Sequence, residues 1–306
     1  MKSVATSAAT TSVERVSFDS EGDTLVGHLY RPAGSAVPVS TRAVVVTGSW
    51  ATVKEQMAGR YARGLAERGY VALAFDFRGY GESEGLPRDF ESPEQKIVDI
   101  HHAVSYLQGV PGVDRQRIGA MGICAGSGYT VGNAADDDRV RSLALVAPWL
   151  HNGALVETVY GGSEGVHERI AAGEQARQRY QDTGEVDYVP AVSTTDSRAA
   201  MYGPFEYYLD ENRGAIPAWG NRFAVMAWPG WLRFDSISFA PSVTVPTVMV
   251  HSEDGAIPDG ARLFHAGLRG SGQLHWTSGN QFDFYDDEPT VNGALHTVDA
   301  HFRETL

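Results

Sequence analysis

The sequence feature that most constrains the fold is a glycine-flanked segment around the single cysteine. Gly122-Ile-Cys124-Ala-Gly126 follows an apolar strand pattern at residues 117–123 and opens a helical pattern at 125–135. Such a tight turn leaves room only for glycine two residues before and after the centre, and it lifts the central side chain above the sheet. A helix N-terminus beside a thiol favours the thiolate. We therefore predict that Cys124 is a nucleophile at the base of a pocket.

Strand and helix patterns alternate on both sides of this segment, which predicts a parallel sheet covered by helices on both faces. The residues at 43–47 form a continuous β-branched run, typical of a strand buried on both faces. Further strands are predicted at 14–20, 24–30, 71–75, 140–147, 245–251 and 273–276. Further helices are predicted at about 53–68, 93–107, 258–268 and 290–303.

The alternation is interrupted between residues 151 and 242, where the sequence is rich in aromatic residues and has no strong strand pattern. We predict that this segment is a helical lid, inserted over the edge of the sheet where the strands end. The domain prediction is a disordered tail at 1–12, a core at 13–150 and 243–306, and the lid at 151–242.

Two loops bear on the chemistry of the site. Ser49 and Trp50 follow the strand at 43–47, so a backbone N–H from this loop and that of Ala125 are predicted to form an oxyanion hole. Ser83 also lies in a G-x-S-x-G sequence, but Pro87 follows instead of a helical run. We expect Ser83 to be a turn residue, because proline at that position favours a loop.

Three segments together resemble a known family. Residues 75–85 (FDFRGYGESEG) are similar to the D-x-R-G-x-G-x-S-x-G loop of α/β-hydrolases. The sequence VKEQM at 53–57 and the cysteine elbow resemble the dienelactone-hydrolase-like branch, near which some fungal polyketide acyltransferases belong. The resemblance implies an α/β-hydrolase fold with a mostly parallel eight-stranded sheet. It covers residues 14–150 and 243–304.

The resemblance also implies where the other catalytic residues should lie. The acid is expected just after the strand at 245–251, where Glu253 and Asp254 are both candidates and Asp254 is favoured. The family histidine is expected at position 281, which is Gln281 in this chain. Glutamine has no titratable proton near neutrality, so it cannot be a general base. Gln281 is retained as a catalytic candidate whose amide would orient a substrate carbonyl or the Asp254 side chain.

A histidine from elsewhere could replace the missing base. His251 ends a predicted strand beside the acid, His151 follows another, and His275 lies six residues before Gln281. All three are retained as candidates, although histidines at such positions commonly have structural roles.

Composition limits the partners. The net charge of −13 disfavours nucleic acid and anionic membranes. A single cysteine excludes an intrachain disulfide and metal sites built from several cysteines, and it fits a cytoplasmic location. We expect no secretory signal, no membrane span, and no cofactor or metal. The expected partner is a bulky or apolar small molecule, and homodimerisation is left open.

These observations predict an enzyme that acts on an ester, lactone or thioester through Cys124. Loss of the histidine impairs attack by water more than attack by an acceptor that carries its own nucleophile. Acyl transfer or cyclisation in specialised metabolism is therefore favoured. The alternatives are a simple hydrolase with a relocated histidine and a non-catalytic protein that binds a small molecule.

Overall fold

The computed structural model describes residues 11–34 and 40–306. Most of the predicted tail, residues 1–10, lies outside this range, and Ser12 already belongs to the first strand. The strands are β1 Ser12–Ser20, β2 Asp23–Arg31, β3 Thr41–Thr47, β4 Val71–Phe75, β5 Val113–Ile123, β6 Val140–Val146, β7 Tyr188–Pro190, β8 Val192–Ser193, β9 Met201–Tyr202, β10 Arg222–Ala224, β11 Thr247–Ser252 and β12 Gly272–Thr277. The helices are α1 Met57–Glu67, α2 Pro93–Gly109, α3 Gly126–Asp136, α4 Gly153–Val159, α5 Gly162–Thr183, α6 Glu206–Leu209, α7 Trp228–Arg233, α8 Pro258–Gly267, α9 Asp283–Asp286 and α10 Glu288–Thr305.

Eight strands form one central sheet, in the order β1-β2-β4-β3-β5-β6-β11-β12. The pairs β1–β2 and β2–β4 are antiparallel and the other neighbours are parallel. Every residue of β4 and of β11 is buried, whereas exposed and buried residues alternate at the end of β1. Strands covered on both faces need continuous apolar sequence, and an edge strand does not. The predicted mostly parallel eight-stranded sheet is confirmed.

The strand order reverses at β3. The chain passes from β3 through α1 to β4 on one side, and then through α2 to β5 on the other side. Right-handed crossovers in opposite directions put α1 and α2 on opposite faces, and α1 packs against α10 while α2 packs against α3. Ligands bind at such a reversal, beyond the carboxyl ends of the strands. Ser49 and Cys124 lie in the two loops that leave β3 and β5 there.

The insertion between β6 and β11 is not purely helical, although the sequence pattern had suggested a helical segment. It contains α4 to α7 and two small sheets, β7 with β10 and β8 with β9. Most of its aromatic side chains join the core cluster, and Phe223, Trp228 and Trp231 all pack on Trp50 of the core. The insertion is thereby fixed to the sheet edge that bears the elbow. Among the described residues, no helix is both long enough and apolar enough to cross a bilayer.

Candidate active site

The turn around Cys124 has the strained geometry that its glycines predict. Cys124 has a φ of +53°, a left-handed conformation that costs energy for a residue with a side chain. A Cβ at Gly122 would lie 2.5 Å from the Ser127 backbone, and one at Gly126 would lie 2.3 Å from the carbonyl oxygen of Gly48. Neither contact is tolerable, so glycine is required on both sides. The elbow therefore fixes the thiol beyond the end of β5.

Cys124 is only 6% exposed and lines a cavity. Burial raises the pKa of Cys124, while the Ser49 hydroxyl, the Tyr285 hydroxyl, the Ala125 N–H and the Gln281 amide lower it through hydrogen bonds to the sulfur. Burial outweighs these donors. The net shift is therefore opposite to the one expected from the helix N-terminus alone, because desolvation penalises the charged form more strongly than the nearby donors favour it.

A cluster of buried hydroxyl groups surrounds the sulfur. The Tyr208 hydroxyl donates to Ser49 Oγ at 3.2 Å, and Ser49 Oγ lies 3.3 Å from the Tyr285 hydroxyl. The Gln281 amide donates to the Tyr285 hydroxyl at 3.2 Å. Burial raises the pKa of both tyrosines well above the usual value. Both phenols are therefore protonated at neutral pH and are available as donors around Cys124.

The sequence pattern does not reveal this cluster. Ser49 was considered only for its backbone, and its hydroxyl partners lie 159 and 236 residues away in the chain. The one available signal was that Tyr285 lies only four residues after position 281, where the family histidine was expected. Nothing in the spacing of Tyr208 distinguishes it from the other aromatic residues of the insertion.

The loop after β3 supplies the second side of the site. The backbone N–H of Trp50 donates to no hydrogen bond within the described residues, as is expected of a group that awaits a substrate oxygen. The Trp50 indole stacks on Phe223 with ring centroids 4.7 Å apart. The Ala51 N–H donates to the buried carboxylate of Glu91 at 2.9 Å. The loop is therefore held by the insertion on one side and by Glu91 on the other.

Gln281 occupies the place of the family histidine and is bound mainly by backbone. Its Oε1 accepts from the Ala256 N–H at 2.9 Å, and its Nε2 donates to the Ala147 carbonyl at 3.0 Å as well as to Tyr285. No hydrogen bond joins it to Asp254 in the described part of the chain. Gln281 therefore positions hydroxyl groups and cannot transmit charge from an acid.

The two candidate acids have different surroundings. Glu253 is exposed, forms an ion pair with Arg262 and does not line the cavity, so the structure contradicts a catalytic role for it. Asp254 does line the cavity, but it is exposed and accepts no hydrogen bond from the described residues. Without a histidine to orient, Asp254 has no triad to complete.

His151 is bound away from the thiol. Its Nδ1 accepts from the Trp149 indole at 2.9 Å, and its Nε2 lies 3.1 Å from the Trp231 carbonyl, to which it donates. Burial lowers its pKa to about 4. Both ring nitrogens are thus engaged in a neutral imidazole, so His151 is not the base that the sequence allowed for.

The other two histidines are also excluded as bases by position. His251 stacks on Trp276 and its Nε2 contacts the Ala256 carbonyl at 3.1 Å. Burial lowers its pKa to about 4. His275 lies on the exposed β12 and contacts Gln273. Neither lines the cavity that Cys124 lines.

The loop at residues 75–85, which carries the second G-x-S-x-G sequence, has a structural role. Ser83 Oγ donates to the Asp76 carbonyl at 2.6 Å and accepts from the Val26 N–H, as expected of a turn residue. The Asp76 carboxylate forms a buried ion pair with Lys54 at 2.8 Å. Lys54 is also 2.7 Å from Glu82. Among the described residues, His28, Glu55 and Glu82 form the one group whose spacing would suit a metal ion. The ammonium already supplies the positive charge there.

The cavity in front of Cys124 has a volume of about 760 Å³, a size typical of small-molecule sites. Core and insertion both line it, and its walls are mostly apolar. The aromatic lining residues are Trp50, Trp149, Tyr160, Tyr202, Phe205, Tyr208, Trp231, Phe282 and Tyr285.

Comparison with known proteins gives similarities in family, sequence and structure. Residues 26–149 match the dienelactone hydrolase family. The polyketide transferase grgF of a Penicillium species is 31% identical over 294 residues, which are 92% of this chain and 94% of that protein. The "uncharacterized protein YcjY" of Escherichia coli (strain K12) is 30% identical over 281 residues, 87% of this chain and 89% of that protein. The crystal structure of hypothetical protein PA2218 from Pseudomonas aeruginosa has a TM-score of 0.86 and 25% identity, over 97% of this chain and 95% of that one.

Proposed function

This chain belongs to the dienelactone hydrolase family and is an enzyme of α/β-hydrolase fold, and we propose that it transfers an acyl group, or closes a ring, through a thioester at Cys124. The observation that carries the proposal is an elbow whose thiol contacts hydroxyl and amide groups and, among the residues that the structure describes, no imidazole. The similarity to a polyketide transferase over nearly the whole chain supports transfer rather than hydrolysis.

In the first half-reaction, Cys124 Sγ attacks the carbonyl carbon of an ester or thioester. A C–S bond forms, the bond to the leaving oxygen or sulfur breaks, and the thiol proton leaves on that atom. Ser49 and Tyr285 are placed to pass this proton, because a hydroxyl can accept one proton while it donates another. The N–H groups of Trp50 and Ala125 stabilise the negative charge that develops on the carbonyl oxygen.

In the second half-reaction, a hydroxyl of an acceptor, or of the acyl chain itself, attacks the thioester. The C–S bond breaks and the hydroxyl proton returns to the sulfur, which restores the thiol. Water would need a general base to compete, and Gln281 cannot be one. A bound alcohol held against the thioester reacts faster than a free one because it is already in position, and this gain in rate can replace part of the contribution of a base.

The cavity supports a bulky, largely apolar substrate. The insertion would serve as the lid that excludes water, since residues of α4 to α7 and of the loops between them line one side of the cavity. A cytoplasmic location and the absence of nucleic acid and membrane partners stay predictions. Homodimerisation stays an open alternative.

The proposal is tested with an activated acyl ester and mass spectrometry of the intact protein. We expect about one acyl group per chain, located on Cys124, followed by very slow release in water. Addition of a medium-chain alcohol should release the acyl group as the new ester. The Cys124→Ser variant is the control, since a serine without a base is a poor nucleophile and should show no burst. Rapid steady hydrolysis without an acyl-enzyme contradicts the proposal.

The complementary variant is Gln281→His. A general base typically contributes about 10²- to 10⁴-fold to rate, so this change should accelerate hydrolysis of the acyl-enzyme and divert acyl groups from the alcohol to water. Asp254→Asn is the matched control. It should leave the native protein unchanged, because Asp254 contacts none of the acylation residues, and it should slow hydrolysis only when combined with Gln281→His.

A further inference from the structure

Arg169 is a basic residue that faces the cavity from helix α5. Its Nη1 donates to the carbonyl oxygens of Tyr160 and Gly165 at 3.0 and 2.9 Å. Its guanidinium carbon lies 5.5 Å from the ring centroid of Tyr160 and 5.7 Å from that of Trp228. Two carbonyls and two rings therefore hold the half-buried guanidinium in one position.

The rest of this guanidinium has no protein partner. Within residues 11–34 and 40–306, Nε and Nη2 of Arg169 donate to no acceptor, and no carboxylate lies within ion-pair distance. Neither nitrogen is buried without a partner, so both remain open to solvent or ligand. Arg213, the other basic residue along the cavity, donates two bonds of 2.6 Å to Asp286. Arg169 thus differs from Arg213 in keeping an unused set of donors, whose planar arrangement matches a carboxylate or phosphate.

Arg169 lines the same cavity as Cys124. The Tyr160 hydroxyl accepts from the Trp231 indole at 2.8 Å, and Trp231 also lines the cavity. Burial raises the pKa of Tyr160 to about 12, and the positive charge of Arg169 opposes this rise. Tyr160 and Trp231 line the cavity together with Arg169 and Cys124, so a single ligand that fills it would meet both groups.

We propose that Arg169 binds an anionic group of the substrate, while Cys124 attacks the carbonyl carbon of the same molecule. This inference rests on the proposed acyl chemistry and specifies its substrate class: an apolar acyl compound with a negative charge remote from the reacting carbonyl. The charge is either a carboxylate on the acyl chain or a phosphate on the thiol half of a thioester. The chain as a whole has a net charge of −13 and repels anions. Among the described residues that line the cavity, Arg169 is the basic residue whose charge is not neutralised by an ion pair, so it is the group that would attract the anion.

Binding is measured in the Cys124→Ala background, where no acyl transfer occurs, by the fluorescence of the cavity tryptophans. The first arm compares the monomethyl ester of sebacic acid with its dimethyl ester. The second compares pantetheine 4′-phosphate with pantetheine. We expect the anion of one pair to bind about tenfold or more tightly than its neutral counterpart, the range of a hydrogen-bonded charge pair. The pair that shows this preference identifies the source of the charge.

Arg169→Gln should abolish the preference without weakening the neutral ligand, and Arg169→Lys should retain part of it because the planar pair of donors is lost. Arg177→Gln is the matched control, since Arg177 is exposed on the same helix outside the cavity and its loss changes the net charge equally. No preference for either anion, or a preference equally present in Arg169→Gln and Arg177→Gln, overturns the inference. If the acyl-enzyme forms but Arg169 has no effect on anion binding, this inference fails and the proposed reaction stands. If Arg169 binds the anion but no acyl-enzyme forms, the proposed reaction fails and the anion site stands.

Discussion

At the scale of single residues, the site places a thiol among hydroxyl and amide groups, and no imidazole from the described part of the chain lines its cavity. Cys124 has four hydrogen-bond donors or hydroxyl partners around its sulfur, and burial still raises its pKa. Such a thiol is protonated before substrate binds and needs a path for its proton during attack. Ser49 is the group best placed to begin that path, because it links the sulfur to both tyrosine hydroxyls.

This arrangement predicts how the thiol titrates. The rate of alkylation by iodoacetamide follows the thiolate fraction, so it should rise about tenfold per pH unit and reach its plateau only above the ordinary thiol pKa. Ser49→Ala removes a donor to the thiolate, which raises the pKa further and should slow alkylation at neutral pH by about tenfold. Ser197→Ala is the control, because Ser197 lines the same cavity but does not contact the sulfur. A plateau below the ordinary thiol pKa, or equal rates in the two variants, would refute this account.

At the scale of elements, the loop after β3 depends on one buried carboxylate. Glu91 is fully buried and accepts from the Ala51 N–H and the Tyr80 hydroxyl, both at 2.9 Å, and from Lys96 at 2.7 Å. It also accepts from Tyr129, which lies on α3 directly after the elbow. Glu91 thereby joins the two loops that carry the candidate oxyanion donors.

Removing this carboxylate should destabilise the fold. Glu91→Gln leaves Lys96 charged, buried and without its ion partner, and we expect a loss of about 3–5 kcal/mol in the free energy of unfolding, measured by urea denaturation. The double variant Glu91→Gln with Lys96→Met should recover part of that loss, since no buried charge remains. Glu174→Gln breaks the exposed pair with Arg233 and should cost less than about 1 kcal/mol. A loss in Glu91→Gln no greater than in Glu174→Gln would show that the carboxylate does not hold the loop.

The sequence predicted the elements of the sheet and not the details of the insertion. Interior strands such as β4 are apolar along their whole length because both faces are covered, and this leaves a clear pattern. The strands β8 and β9 have only two residues each, too few for any periodicity. The elbow was predictable because sterics demand glycine at fixed positions. The hydroxyl cluster was not, because residues far apart in the chain meet there only through the tertiary fold.

At the scale of the whole molecule, the cavity joins two parts of the chain. Cys124, Gln281 and Tyr285 line it from the core, and Arg169 and Tyr208 line it from the insertion. Tyr208 also bonds Ser49 directly, so the insertion takes part in the site as well as covering it. Whatever fills the cavity contacts both parts at once.

Filling the cavity should therefore stabilise core and insertion together. A ligand that binds only the folded state adds about 2.7 kcal/mol at a hundred times its dissociation constant, and a covalent acyl group on Cys124 holds the cavity occupied. Hydrogen exchange of the acyl-enzyme, compared with the free protein, should slow at residues 159–169 and 199–208 of the insertion and also at 49–50 and 280–285 of the core. Helix α2 is the internal control, because none of its residues lines the cavity. Protection confined to the core loops would mean that the insertion does not close on the acyl group, and the site would then admit water. Protection of both parts to a similar extent would support the proposed transfer, since water that would hydrolyse a thioester at Cys124 would then be kept outside the cavity.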